Sequence, residues 1–155
     1  CMVRNPVEWN RSIFKFWHVR RKELTPALEI SKFIREPLIV YDNSNSIYDI
    51  RYHFISPTDY WNKYYYAWTF WKKIRDQLLF VRLEDFETQT ESVLKSIERK
   101  FLLQRKSSWS PDLPSVRLGP IVPETLDRLD TQLFTSDEKF IENSCLPELK
   151  NIYRY

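Results

Sequence analysis

Cys1-Met2-Val3-Arg4-Asn5-Pro6-Val7-Glu8 reads as the end of a short apolar strand running directly into a capped helix. Asn5 suits the N-cap, where its side-chain oxygen accepts from an orphan helical N–H; Pro6 fills the first helical position and Glu8 stands three residues after the cap. Trp9, Ile13, Phe16 and Trp17 follow at spacings of three and four and predict one buried stripe. Arg20, Arg21 and Lys22 then suit a helix C-terminus, which favours cations. A chain that opens inside a strand, without an initiator methionine, is expected to be preceded by further sequence.

Outward from this unit, a second helix is expected from Pro26, capped by Thr25, to about Ile34. Pro37 to Tyr41 reads as a short strand or an extended connection, and Asp42 to Ser46 as a turn. Pro57-Thr58-Asp59 opens a long helix expected to end near Gln77, with Trp61, Tyr64, Tyr65, Trp68 and Trp71 on one aromatic stripe that reads as core packing. Leu78 to Leu83 is short and apolar enough to be a buried strand of a parallel sheet, closed by Glu84-Asp85. From Thr90 an amphipathic helix follows, with Val93, Leu94, Ile97 and Phe101 on its buried face. Gln104 to Pro123 reads as a surface loop, and two helices are expected to finish the chain: one from about Glu124 to Leu133, and one from Asp137, capped by Ser136, to Leu146.

The 155 residues fit a single domain, and 24 basic against 21 acidic side chains leave too little net charge for a polyelectrolyte field. Cys1, Cys145, His18 and His53 have no metal-ligand spacing, so no metal site is expected and both thiols are read as free. No apolar run is long enough for a transmembrane helix, and the first residues do not read as a signal peptide. Glycine is the telling deficit. Gly119 is the only one, where an average chain of this length carries about ten, so a phosphate loop built on several glycines is absent.

The residues that carry chemistry are Arg4, at the end of the strand, and Ser12, two turns into the helix. A guanidinium offers a planar fork of donors to phosphate oxygens, a serine hydroxyl adds another, and a helix N-terminus favours an anion. The alternative is a plain capped helix with Ser12 facing water.

Val3-Arg4-Asn5-Pro6, with Ser12 eight residues after the arginine, resembles the 3′-phosphate-binding motif of sulfotransferases that use 3′-phosphoadenosine 5′-phosphosulfate (PAPS). Phe80-Val81-Arg82-Leu83-Glu84-Asp85-Phe86, with the helix ending Ile97-Glu98-Arg99-Lys100-Phe101-Leu102-Leu103, is similar to that family's later strand-turn-helix. The resemblance covers residues 1–103 and fades from Gln104 to Tyr155. It implies an α/β, P-loop-NTPase-like sulfotransferase domain, here mostly helical with a few parallel strands and lacking the N-terminal P-loop unit. It implies further that Arg4 and Ser12 bind the cofactor's 3′-phosphate, and that the complete enzyme moves a sulfuryl group from PAPS to a hydroxyl or amine acceptor, a small molecule or a carbohydrate.

Where the family often has tyrosine this chain has Leu83. The family's P-loop lysine and catalytic base are not in this chain, so no catalytic residue is assigned. Glu84 and Asp85 read as structural, Arg105-Lys106-Ser107 as solvated charge, and His18 and His53 as partly exposed histidines. Acceptor choice falls to residues 35–57, with Tyr41, Tyr48, Tyr52 and His53 as candidates.

Two other readings stand beside this one. One is an inactive sulfotransferase-derived binding or interaction module that works through its aromatic surface. The other is a helical nucleic-acid-binding protein using Arg20, Arg21 and Lys22 with Trp17, against which the balanced charge argues. Asn10-Arg11-Ser12 is a glycosylation sequon on the helix that carries Ser12, where a glycan would obstruct the site; this points to a cytoplasmic location, with the Golgi lumen as the alternative.

Overall fold

A computed structural model describes residues 1–20, 29–42, 50–106 and 131–155 of the chain. Strand β1 (Met2–Val3) leads into helix α1 (Pro6–Arg20), and a short helix α2 (Ile30–Phe33) precedes strands β2 (Leu38–Asp42) and β3 (Ile50–Phe54). Helix α3 (Pro57–Phe70), a 3₁₀ turn (Arg75–Gln77), strand β4 (Val81–Arg82) and helices α4 (Leu83–Thr88) and α5 (Thr90–Phe101) follow. The chain ends in α6 (Thr135–Ser144) and α7 (Pro147–Tyr153). The fold is mixed α/β and predominantly helical.

The expected parallel pairing is present. β1 lies alongside β4 with Met2 opposite Val81 and Val3 opposite Arg82. The strand expected over residues 78–83 is cut to two residues because Leu83 already begins a helix, whose first turn holds Glu84 and Asp85 where the dipole favours anions. The segment after Pro37 is a full strand, antiparallel to β3 with Leu38 opposite Phe54 and Val40 opposite Tyr52. β3 was not expected from sequence, and it places His53 opposite Ile39 rather than in a loop.

α3 starts where its signals say: Ser56 Oγ accepts from the Asp59 N–H at 3.1 Å, the Asp59 carboxylate accepts from the Ile55 N–H at 3.0 Å, and Pro57 takes the first position. It stops at Phe70 rather than Gln77, since Trp71 has extended backbone at φ −72°, ψ 95°. The chain must turn back there to lay residues 78–82 beside β1. Of its aromatic stripe, Trp61 and Tyr65 are buried, while Tyr64 and Trp71 stand 43% and 51% exposed. The core reading therefore holds for the middle of α3 only.

Among the described side chains of α1, Pro6, Asn10 and Phe14 are buried, whereas Trp9 and Ile13 are partly covered and Phe16 is exposed. A buried asparagine escaped the apolar count: its amide nitrogen donates to the Pro6 carbonyl at 2.7 Å and to Thr58 Oγ1 at 3.2 Å, while among the described residues its Oδ1 has no hydrogen-bond partner. This burial also undercuts the compartment argument. The Asn10 side chain of the sequon is closed to a glycosyl donor in the folded chain in any compartment. The helix expected from Pro26 is seen from Ile30, and residues 25–28 lie outside the described residues.

α5 begins at Thr90 as expected and ends in left-handed Leu102 (φ 54°), with the Leu103 N–H bonded to the Glu98 carbonyl at 3.0 Å. Glycine favours that position, and leucine holds it here in a chain almost without glycine. Val93, Leu94 and Ile97 are only half-buried and Phe101 is 44% exposed, so the apolar face of α5 is incompletely covered.

At the C-terminus, residues 131–134 are not helical, which removes the expected helical end at Leu133; the rest of that helix lies outside the described residues. α6 starts at Thr135, not after Ser136, because the Asp137 carboxylate reaches back to the Phe134 N–H at 3.0 Å. Instead of running to Leu146, α6 stops at Ser144 and Pro147 opens α7. Asn62 of α3 clamps the intervening turn, donating to the Ser144 carbonyl at 2.7 Å and accepting from the Leu146 N–H at 3.0 Å. Ile141, Cys145, Leu149 and Tyr153 enter the same core as Val3, Phe14, Trp61 and Tyr65. The C-terminal helices are therefore part of the structure that supports β1, and not an appendage to it. Among the described residues, no helix is long and apolar enough to cross a membrane.

Candidate functional site

The strand-to-helix junction at Arg4 is held from three directions. From α3, Trp61 Nε1–H donates to the Arg4 carbonyl at 3.1 Å and the Tyr65 hydroxyl donates to the Met2 carbonyl at 3.2 Å. From α4, Glu84 Oε1 accepts from the Asn5 N–H at 2.8 Å. Within the junction, Asn5 Oδ1 accepts from the Val7 N–H at 2.8 Å, which is the N-cap the sequence announces. Glu84 thus serves the backbone, as read from sequence, and its second oxygen accepts from the Tyr155 hydroxyl at 3.1 Å.

Burial pushes two phenols upward. Tyr65 rises to about 12, chiefly through burial and then the neighbouring Tyr64. Tyr155 rises through burial and then the Glu84 charge and its hydrogen bond. Both hydroxyls therefore stay protonated and act as donors at neutral pH. The clamping residues Trp61 and Tyr155 escaped the sequence reading. Trp61 was assigned to packing alone, and nothing in the chain marks a terminal tyrosine as the partner of Glu84.

Arg4 is half-buried, and among the described residues its guanidinium has no hydrogen-bond or ion-pair partner. Ser12 is exposed on α1 about 9 Å along the axis from Pro6, and its Cα–Cβ bond tilts back toward the helix N-terminus. The two side chains do not hydrogen-bond to one another. Between them, Arg11 pairs with Glu8 and, at 3.2 Å, with Glu138, so the carboxylate in the first turn of α1 is neutralised locally. A cleft of about 190 Å³ opens beside this turn, between Asn5 and Val7 on one side and Lys150 and Tyr155 on the other, with Glu142 also at its wall.

The remaining sequence candidates divide. Arg105 is not a free charge: it forms a bidentate pair with Glu91, 2.7 Å on each arm, and a further pair with Glu98. His53 and Tyr52 are exposed on β3. The side chains of Trp17, His18, Arg20 and Tyr41, and residues Arg21, Lys22 and Tyr48, lie outside the described residues. Among the described residues, no group of three His, Cys, Asp or Glu side chains is gathered as a metal site would need. Comparison with family models, with curated proteins and with solved structures gives no match for this chain.

Proposed function

We propose that this chain is the C-terminal part of a sulfotransferase-type domain and that Arg4 and Ser12 hold the 3′-phosphate of PAPS or of its product, 3′-phosphoadenosine 5′-phosphate. One observation carries the reading. The backbone around Arg4 is pinned by Trp61, Tyr65 and Glu84, while its guanidinium is left without a partner among the described residues. A buried or half-buried arginine is normally paired, so a rigidly mounted, unpaired fork suits an incoming anion. The parallel pairing of β1 with β4 supports it further, since the two motifs that resemble the family lie side by side.

When bound, the cofactor supplies the sulfuryl group for transfer to a hydroxyl or amine. The part of this chain is to fix the nucleotide end: Arg4 donates two parallel hydrogen bonds, Ser12 one, and the first turn of α1 adds its dipole. The groups that act on the sulfuryl group belong to sequence that this chain does not contain, so the reading is of half a site.

The test is calorimetric titration of 3′-phosphoadenosine 5′-phosphate against adenosine 5′-phosphate, with the wild-type chain and with Arg4→Ala. A charged hydrogen bond is worth about 1.5–3 kcal/mol, so Arg4→Ala is expected to cost roughly ten- to a hundred-fold, Ser12→Ala less, and Arg4→Lys to restore only part. Equal affinity for the two nucleotides, or indifference to Arg4→Ala, overturns the reading.

A second reading, an interaction module without catalytic function, draws on the outer face of α3. There Tyr66 and Phe70, with ring centroids 4.5 Å apart, stand 47% and 42% exposed beside Trp71. Normal nucleotide binding by a Tyr66→Ser, Phe70→Ser double variant would separate that face from the Arg4 site.

A further inference from the structure

A second cleft, of about 440 Å³, lies between β4, α5 and the C-terminal end of α7. Its size falls in the range of small-molecule sites. Phe80, Val93 and Ile152 give it apolar walls, and Ser92 and Ser96 line it from one face of α5, a turn apart. Two arginines and one carboxylate line it as well: Arg82, Arg154 and Asp85.

Arg82 sets the chemistry. Its guanidinium is stacked on the Tyr155 ring, 4.7 Å from the centroid, which fixes the plane of the fork. The neighbouring Glu84 and Asp85 oxygens are each 3.9 Å away, beyond hydrogen-bond reach. Its Nε is buried and has no hydrogen-bond partner. Opposite it, Arg154 sits in the left-handed region at φ 58°, where a non-glycine residue is held at some strain, and it adds a second cation to the same cleft. Two cations, Arg82 and Arg154, thus stand at the cleft against apolar walls, with Asp85 in its lining and Glu84 3.9 Å from Arg82.

We propose that this cleft binds a small organic anion, with the anionic group on Arg82 and Arg154 and an apolar or aromatic body on Phe80, Val93 and Ile152. The proposal does not rest on the Arg4 reading. In the parallel register Arg82 stands opposite Val3, one residue before Arg4, and successive residues of an extended chain point to opposite faces. The shared chemistry of sulfate ester, phosphate ester and carboxylate is an oxyanion on an apolar body, and the probes below tell these apart.

The experiment titrates the 155-residue chain with 2-naphthyl sulfate, 2-naphthyl phosphate and 2-naphthoate, with 2-naphthol as the neutral control and inorganic sulfate as the bare anion. The amide resonances of Ser92, Ser96 and Arg154 report location. At least one naphthyl anion is expected to bind ten-fold or more tightly than 2-naphthol and to move those resonances. Arg82→Gln should abolish the preference while leaving the 2-naphthol affinity in place, and Arg82→Lys should restore only part of it. Because Arg82 also packs on Tyr155, Ser96→Trp serves as an independent variant: Ser96 is exposed, so the indole blocks the cleft without disturbing the core, and all naphthyl binding should fall. Anion and neutral probe of equal affinity, binding that survives both Arg82→Gln and Ser96→Trp, or no binding of any probe overturns the proposal. So does binding lost in Arg4→Ala and retained in Arg82→Gln, which would place the anion at the other site.

Discussion

The indole of Trp61 donates to the carbonyl oxygen of Arg4 at 3.1 Å, so the most buried ring of α3 is also what holds the backbone of the candidate anion site. Trp61→Phe keeps an aromatic ring but strands the Arg4 carbonyl and leaves a cavity beside Tyr65 and Tyr153. A loss of roughly 2–4 kcal/mol is expected in urea unfolding. Nucleotide affinity, measured under conditions where the variant is fully folded, should also fall, although Trp61 touches no ligand. A stability loss with unchanged affinity would separate the core from the site.

Glu84 ties the Asn5 N–H and the Tyr155 hydroxyl to one carboxylate, joining the two ends of the chain to α4. Glu84→Ala removes both contacts and should cost about 2–3 kcal/mol, and Glu84→Gln about half of that. Tyr155→Phe should show less than Glu84→Ala, because the Asn5 contact survives. Guanidinium unfolding of the three variants checks the order.

Asp137 is buried and accepts from Ser31 Oγ at 2.9 Å and the Phe134 N–H at 3.0 Å, while pairing with Arg35 at 2.7 Å. Burial pushes its carboxyl upward, but the hydrogen bonds from Phe134, Arg35 and Ser31 outweigh it and hold the group below its usual range. A folded-state pKa below the unfolded one stabilises the chain above the unfolded value of about 3.9, and that contribution is lost as pH falls through the folded value. Asp137→Asn should therefore lower stability at pH 7 by about 1.5–3 kcal/mol and flatten the decline below about pH 4. Parallel acid titrations of stability for wild type and variant provide the measurement.

Cys145 is 4% exposed, and burial pushes its thiol up to about 12, with Lys150 and Glu142 acting in opposite directions. Cys1 is exposed. Against an aromatic disulfide reagent at pH 8, one thiol per chain should react promptly and the second only at the rate of opening. Two prompt thiols in the native protein would contradict the packing of α6 and α7 around Cys145.

What could be read in advance were starts and neighbours. Asn5, Pro57 and Thr90 mark helix beginnings, and each marks one in the structure; Asn5 and the Ser56 beside Pro57 do so through side-chain hydrogen bonds to the first turn, whereas the helix at Thr90 starts without one. Val3 and Arg82 pair because two short apolar runs in a helical chain have few alternatives to each other. Ends were harder. Phe70 and Ser144 close helices without glycine, and Leu102 takes a left-handed cap that glycine normally announces. Those stops come from tertiary contacts, such as the Asn62 clamp on the α6–α7 turn. The same is true of the site. Arg4 and Ser12 were visible as residue types at a spacing, but the uncommitted state of Arg4 depends on where Glu8, Arg11 and Glu84 send their own charges.

The pairing of β1 with β4 has a consequence for the order of folding. It brings together positions such as Asn5 and Glu84, 79 apart in sequence, and closing a loop of that length costs about 4 kcal/mol of chain entropy. A two-residue ladder contributes only about 1 kcal/mol per hydrogen bond, too little to form first. The ladder must therefore zip late, after α1, α3 and the C-terminal helices have docked, and a topology with so distant a contact folds slowly. The amides of Val81 and Asn5 should be among the first to lose hydrogen-exchange protection as the chain is destabilised. The mounting of Arg4 would then be lost before the helices melt, so that the anion site and the helical core fail in sequence and not together.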